Sequence, residues 1–475
     1  MPIVVALANR GVRHETRDAV PSVVAPRSLG LAVGSATGIA TVTLASAARD
    51  QRSESAPRPV LDATHLPPLL TVRGEQVDLT FDVHCVRGIE DPEAGCDVRG
   101  SVFVRPLGSD SFDEIPLTPH ARNGERQLVA TVPDNLTSEP GFAYYAVLEA
   151  PEIGQRVTVP AGGAAAPHVS RQLANSVPVP LGRHAFGRGR RDGTRLAFAH
   201  WGDRPAAVGL EDGRQLDPVG ASAFDVDGSG AIILLDQVHH RLLRWEKGAK
   251  DPARVPISVT GTLADMAVAD DGSTFVLETT APPGRNPLVR RFDDGGRELE
   301  AIETAERTPS RIQLVPSGPV VLTHPSHYWV PITLDGTPAS PADQLRHGRS
   351  GRPLQGGRQV VVLRSGSELR VALVAGRNVV RSWRLTSDTS LAEVQLAEPM
   401  GERFVVVVRL YDADMDEFGV FVLDRTGLVD RLALDSADWA ETAPLSRFRL
   451  VGRSLYRLGS SSTGVFVDRF DLGAR

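Results

Sequence analysis

The side chains of this sequence that could do chemistry are gathered in a few short runs. His239-His240 and His324-Pro325-Ser326-His327-Tyr328-Trp329 are the local concentrations of imidazole in the C-terminal part. An imidazole serves near neutral pH as general base or metal ligand. His327 adjoins Tyr328 and Trp329, which with Trp245 would make an aromatic binding surface if they face solvent. Asp412-Ala413-Asp414-Met415-Asp416-Glu417 carries the D-x-D-x-D spacing with which carboxylates surround calcium, but Glu417 stands where such a loop turns on glycine. Asp412, Asp414 and Asp416 are therefore candidate metal ligands, and calcium is the one cofactor the sequence suggests. The same run lies between Val405-Val406-Val407-Val408 and Val420-Phe421-Val422-Leu423, so it also reads as an exposed hairpin tip. Arg183, His184, Arg188, Arg190, Arg191 and Arg195 form a basic cluster, either a patch for anions or a solvated linker. Phe186 is its single aromatic for base stacking, which favours the linker and disfavours nucleic acid. No G-x-S-x-G, H-E-x-x-H or G-x-x-x-x-G-K-[ST] occurs, and Gly187 to Gly193 misses the dinucleotide pattern by one residue.

The totals narrow the setting. The chain has 475 residues, 45 Gly and 35 Pro, with 41% hydrophobic and 23% charged residues. That composition suits globular domains rich in turns and short strands. A net charge of -6 gives no reason to expect nucleic acid or an anionic membrane as partner. Cys85 and Cys96 are the two cysteines, too few for a four-cysteine zinc site and spaced for a local disulfide. Ser28 to Ala48 is uncharged and ends in Ala45-Ser46-Ala47-Ala48, like a secretory apolar region with an A-x-A cleavage site. Its Gly, Ser and Thr content makes it a poor stable membrane span. Secretion or display at the cell surface is the expectation, with a cytoplasmic protein carrying an Ala/Gly/Thr linker as the alternative.

These residues need elements to position them, and the patterning is that of an all-β chain. Val77, Leu79, Phe81 and Val83 alternate with polar residues, the period of a strand with one buried face. Similar runs follow at Gly100 to Pro106, Phe112 to Leu117, Gln127 to Val132, Phe142 to Leu148 and Arg156 to Pro160. Strands at this spacing suggest a sandwich. Residues 1–64 read as leader and linker, 65–168 as the sandwich, which ends in Ala161 to Pro167 as a flexible connection, 169–192 as a second linker and 193–475 as a repeat. In the repeat, turn glycines at Gly228, Gly272, Gly318, Gly357, Gly401 and Gly452 recur about every 45 residues, the period of a four-stranded propeller blade.

The run from Gly100-Ser101-Val102-Phe103-Val104-Arg105 to Gly141-Phe142-Ala143-Tyr144-Tyr145 resembles fibronectin-III or immunoglobulin-like modules of secreted bacterial proteins, which implies a spacer or adhesive unit. Ala223 to Gly230, Ile232 to Asp236 and His239 to Trp245 resemble a blade of the NHL type, as does the looser copy from Met266 to Phe292. The resemblance implies that His239-His240 lie in a loop before the third strand. Propeller hydrolases and lactonases of the regucalcin type hold a metal with acidic and Asn ligands, a set with no match in this sequence. The expected fold is an immunoglobulin-like sandwich followed by a propeller of six blades, with seven as the alternative. Its last blade lacks a strand that Leu196 to His200 or Ala207 to Leu210 would supply. The expected function is that of a non-catalytic protein binding a protein or glycan through its propeller face. The alternatives are a propeller hydrolase, lactonase or lyase with a metal- or His-assisted site, and a structural component of a secreted or surface assembly.

Overall fold

The computed structural model describes residues 60–473 except 66, 69, 73–75, 87–95, 123–124, 138, 174, 212–217, 282–284, 325–327, 350, 366, 377, 414, 437–438 and 441–445. Every described residue lies in the unit Ser55–Arg475. The apolar stretch Ser28 to Ala48 therefore falls outside the described residues.

Alternating apolar residues build a sandwich first. Val60–His65, Val77–Val86, Glu125–Val132 and Thr118–Arg122 pair in that order as one sheet. The facing sheet is centred on Gly141–Ala150. Leu79, Phe81, Leu128 and Val132 from one sheet meet Val102, Phe142, Tyr144 and Leu148 from the other in one core. Cys85 and Cys96 form a disulfide at one end. In the chain-entropy model so short a loop is worth about 3 kcal/mol.

Among the described residues, six further sheets of three or more strands lie in the β-propeller. The first holds Ala223–Val226, Ile232–Asp236, Arg241–Trp245 and Ala253–Pro256; the second, Leu263–Val268, Thr274–Glu278, Leu288–Phe292 and Glu298–Glu303. The third has Thr308–Val315, Gly318–His324 and Tyr328–Pro331. The fourth runs Arg352–Pro353, Arg358–Ser365, Glu368–Ala375 and Asn378–Ser387. The fifth spans Ser390–Met400 to Gly427–Asp435, and the sixth Phe448–Val451 to Gly464–Asp471. The first strand of the sixth sheet packs against those of the fifth and of the first, so the ring returns on itself.

The glycine repeat marks the turn between the first and second strand of every sheet. Gly272, Gly318, Gly357, Gly401 and Gly452 all have positive φ there, a conformation glycine reaches without Cβ strain. In the first sheet that position is Gly230, at φ 85°, two residues beyond Gly228. Asp227 stabilises this turn by accepting from the Ser229 and Ala231 amides at 2.9 Å each.

Three stretches differ from their sequence reading. Val60–His65 is a sandwich strand, although most of it falls in the expected leader. Residues 169–192 are not a linker. His168–Leu173 pairs with Gly141–Ala150, and Val177–Gly182 adds in parallel to Asn378–Ser387 of the fourth sheet. The alternation there is short and broken by Pro178 and Pro180, which an edge strand tolerates. Nor does Ala161 to Pro167 give free play between sandwich and propeller. Leu70 and Leu173 share an apolar cluster with Val361, Ala372 and Val374, and the Tyr328 hydroxyl donates to the Pro167 carbonyl at 2.8 Å.

The sixth sheet receives its outer strand from Thr194–His200, which pairs antiparallel with Gly464–Asp471. The expected missing strand is thus supplied from upstream, as ring closure requires.

Candidate functional site

Polar residues recur in the propeller's first strands, where in a regular strand residues i and i+2 share a side. Arg311 and Gln313 do so in the third sheet, and Glu393 and Gln395 stand two apart in the fifth. Arg449 belongs to the first strand of the sixth sheet. The fourth sheet departs from its neighbours, since its first strand is only Arg352–Pro353. Gly351, Pro353, Gly356 and Gly357 break the strand on both sides. Beside it lies a cavity of about 230 Å³. Its floor is Val360 and Val362 of the next strand, and Trp329, Leu322 and Val394 add apolar wall.

Three guanidiniums and one carboxylate, Glu398, are the charged groups lining it. Arg352 uses one terminal nitrogen for both Glu398 at 2.7 Å and the Ala397 carbonyl at 2.8 Å. Arg449 donates to the Met266 carbonyl at 2.9 Å and faces Asp225 at 3.3 Å and Asp265 at 3.4 Å. Burial works against its charge, but the two aspartates outweigh burial and raise its pKa. Burial also pushes the Asp225 carboxyl up, with Arg449 and two backbone amides opposing. Buried Asp265 has a mechanical task. It accepts from the Ile312 amide at 2.9 Å and the Ser446 hydroxyl at 2.7 Å, tying the second sheet to its neighbours.

Arg311 is less well held. Its closest partners are Glu393 at 3.6 Å and the Gln395 carbonyl at 3.5 Å, beyond the roughly 2.7–3.2 Å of a made N–H···O bond. Burial lowers its pKa; Glu393 and Asp265 oppose that, while Arg449 and Arg352 add to it. Close by, the side-chain oxygens of Gln313 and Gln395 are buried without a hydrogen-bond partner. Gln395 is 6% exposed. A buried acceptor left unpaired costs about 1–3 kcal/mol, so such groups call for an explanation.

The residues singled out from the sequence are scattered by the fold. Trp329 lines the cavity, but Tyr328, pointing to the opposite side of its strand, is buried at the sandwich junction. Trp245 is core, packed with Phe224, Leu234 and Leu458. The aromatic surface expected of these three therefore does not form, because strand alternation turns two of them inward. His239 lies between Asp236 at 2.8 Å and Asp203 at 3.1 Å, fixing a turn beside the first sheet, and His240 is a turn residue at φ 49°. His327 and Asp414 lie outside the described residues. Asp412 faces Arg183 at 3.4 Å and Asp416 accepts from Arg409 at 2.9 Å. These two carboxylates thus have arginine partners, and no group of three potential metal ligands occurs among the described residues.

The basic cluster is likewise absorbed. Residues 183–193 cross the fifth sheet between the two added outer strands, with backbone bonds between Ala433 and both Gly189 and Arg191. Fully buried Glu417 accepts from His184 at 2.7 Å, from the Gly187 amide at 2.9 Å and from Arg190. Burial raises the Glu417 pKa, but these three donors outweigh it and hold the carboxyl below its ordinary value. Arg195 pairs with Asp468 at 2.7 Å. What the sequence reading missed is the channel set of Arg311, Arg352, Arg449, Gln313 and Gln395. The available signal was polar residues at alternate positions just before each repeat glycine.

No family model and no curated protein matches the chain. Among solved structures, virginiamycin B lyase from Staphylococcus aureus is similar at 10% identity over 53% of this chain and 94% of its own, with a TM-score of 0.31. U3-55K is similar at 11% identity over 57% and 100%, with a TM-score of 0.35. YCF48 bound to D1 peptide is similar at 11% identity over 63% and 98%, with a TM-score of 0.31. Likenesses this distant carry no argument about activity or site, and the β-propeller architecture stands on the strand pairings of this chain.

Proposed function

We propose that this chain is an exported, non-catalytic binding protein that recognises a protein or glycan at the centre of its propeller. The observation that carries the reading is the cavity beside the stunted first strand of the fourth sheet. Its guanidiniums, amides and apolar wall are groups that hold a ligand by charge, hydrogen bonding and shape. The sandwich, read as immunoglobulin-like, acts as a spacer fixed to the propeller through Leu70, Leu173 and Tyr328. The six sheets are read as six blades of NHL type. Support for that type comes from the first two, where Arg244 and Arg291 of the third strand reach the turn aspartates Asp227 and Asp271 at 2.7 Å. The Cys85–Cys96 disulfide supports an oxidising compartment.

The test is affinity capture from the extracellular fraction of the source cells, using the full chain and its Arg311→Ala variant. A partner retained by the wild type and reduced about tenfold or more by the variant, at equal melting temperature, is the expected result. Equal retention by both proteins contradicts recognition through the channel.

A further inference from the structure

We infer that Trp201 and Trp439 form a second binding surface, on the rim of the propeller, for a neutral oligosaccharide. Trp201 follows Thr194–His200, the outermost strand of the sixth sheet and three strands from the one that carries Arg449. Trp439 belongs to the connection from Gly427–Asp435 to Phe448–Val451. The surface is separate from the channel and stands whether or not the channel reading holds.

The two indoles lie side by side, with ring centroids 6.0 Å apart and planes at 33°. Both are tied to consecutive residues of the strand Ser454–Ser461. The Trp201 indole N–H donates to the Ser461 carbonyl at 2.8 Å. Next to Trp439, the Ala440 amide donates to the Ser460 hydroxyl at 2.9 Å, and that hydroxyl donates to the Ala440 carbonyl at 3.1 Å. Trp201 packs on the core shared by the first and sixth sheets, which accounts for its place. Trp439 is no member of that core and stays 43% exposed. An aromatic side chain held in this way offers contact area with little freedom left to lose on binding.

The groups around the indoles decide the ligand. Asp203, two residues beyond Trp201, has a wholly exposed carboxylate that His239 Nε2 meets at 3.1 Å, while buried Asp236 holds the other ring nitrogen at 2.8 Å. Just before Trp201, exposed His200 places Nδ1 3.2 Å from the Thr463 carbonyl. A carbonyl only accepts, so in the neutral ring Nδ1 carries the proton and Nε2 remains an acceptor. These acceptors are accessible, unlike the buried amides of the channel. Charge does not select an ion here, because exposed Arg204 adjoins Asp203 in the chain and offsets it. That disfavours both an acidic polymer and a quaternary ammonium. A sugar ring has C–H groups on its face and hydroxyls on its edge. The negative face of an indole attracts the first, and a carboxylate and an imidazole nitrogen accept from the second.

The experiment titrates the full chain with maltohexaose, cellohexaose, chitohexaose and mannohexaose as neutral probes, and with polygalacturonate and decaproline as the acidic and peptide alternatives. Calorimetry reads binding, and acrylamide quenching of tryptophan emission reads where it occurs. At least one neutral hexasaccharide should bind and shield the emission from acrylamide. Trp245, Trp329 and Trp383 are buried, so the quencher reaches chiefly the rim pair. Trp439→Ala should weaken that binding about tenfold or more at an unchanged melting temperature, and Trp439→Phe should restore part of it. The shielding measurement on wild type stands even if Trp439→Ala does not fold. No binding of any neutral probe, binding of polygalacturonate or decaproline alone, binding that leaves the quenching unchanged, or equal binding by wild type and Trp439→Ala overturns the inference.

Discussion

Gln395 occupies a position that folding alone does not favour. Its side-chain oxygen is buried without a partner inside the first strand of the fifth sheet. Without ligand, Gln395→Leu should melt close to wild type, because removing an unpaired acceptor worth about 1–3 kcal/mol is set against losing the side chain's hydrogen bond to Glu393. A drop of several degrees in the melting curve would mean that Gln395 is a structural residue. Tyr328 makes the opposite case. Its hydroxyl donates across the junction to Pro167, and burial pushes its pKa up. Tyr328→Phe should cost about 1 kcal/mol in urea titrations, and Tyr328→Ala about 3–5 kcal/mol. These residue roles were not legible in the sequence. His327-Tyr328-Trp329 reads as one aromatic surface, yet a strand sends consecutive side chains to opposite faces, and only the pairing partners tell which face is core.

At the scale of elements, the segment 183–193 is anchored by one buried carboxylate together with backbone bonds to Ala433. Glu417→Gln leaves His184 and Arg190 opposite a neutral amide, and with Arg190 half-exposed and screened by solvent the cost should be about 1–3 kcal/mol. Because the folded Glu417 pKa lies below its unfolded value, its contribution is complete above the unfolded carboxylate range and is lost as pH falls through the folded pKa. Unfolding titrations at pH 7 and pH 3 should therefore show a pH-dependent loss in wild type that is smaller in Glu417→Gln. His65 in the sandwich adds a second pH dependence. Burial lowers its pKa from 6.5 to about 4, against the Thr80 carbonyl, and its Nε2 meets the Tyr144 hydroxyl at 2.6 Å. The unfolded chain binds the proton first on acidification, so stability is complete above the unfolded value of 6.5 and is lost as pH falls toward 4. The loss is on the order of 3 kcal/mol at about 1.36 kcal/mol per pKa unit. His65→Phe should flatten that part of the profile, and an unchanged slope would contradict the assignment. The periods of these elements were readable, since the recurrent glycines locate the first turn of each sheet. The segment 183–193 was not, because glycine and arginine in alternation look the same whether solvated or pinned by a distant glutamate.

For the whole molecule, sandwich and propeller share an apolar cluster, and Trp201, Trp245, Trp329, Trp383 and Trp439 all lie in the propeller part. Reducing Cys85–Cys96 weakens only the sandwich directly. Tryptophan emission should nevertheless report a lower unfolding midpoint after reduction, because the shared cluster couples the two; an unchanged midpoint would mean independent units. Ring closure was legible from the sequence, as the final repeat is one strand short and Leu196 to His200 has the alternation to complete it. The cavity was not, since residues as far apart in sequence as Arg311 and Arg449 line it and only the assembled ring brings them together.

Hydrogen–deuterium exchange of the full chain with and without its captured partner tests the central claim most directly. The account predicts slowed exchange in Thr308–Val315, Ser390–Met400 and Phe448–Val451, the strands that carry Arg311, Gln395 and Arg449. Protection confined to the sandwich or to outer strands such as Ala253–Pro256, with the channel strands unchanged, would contradict it.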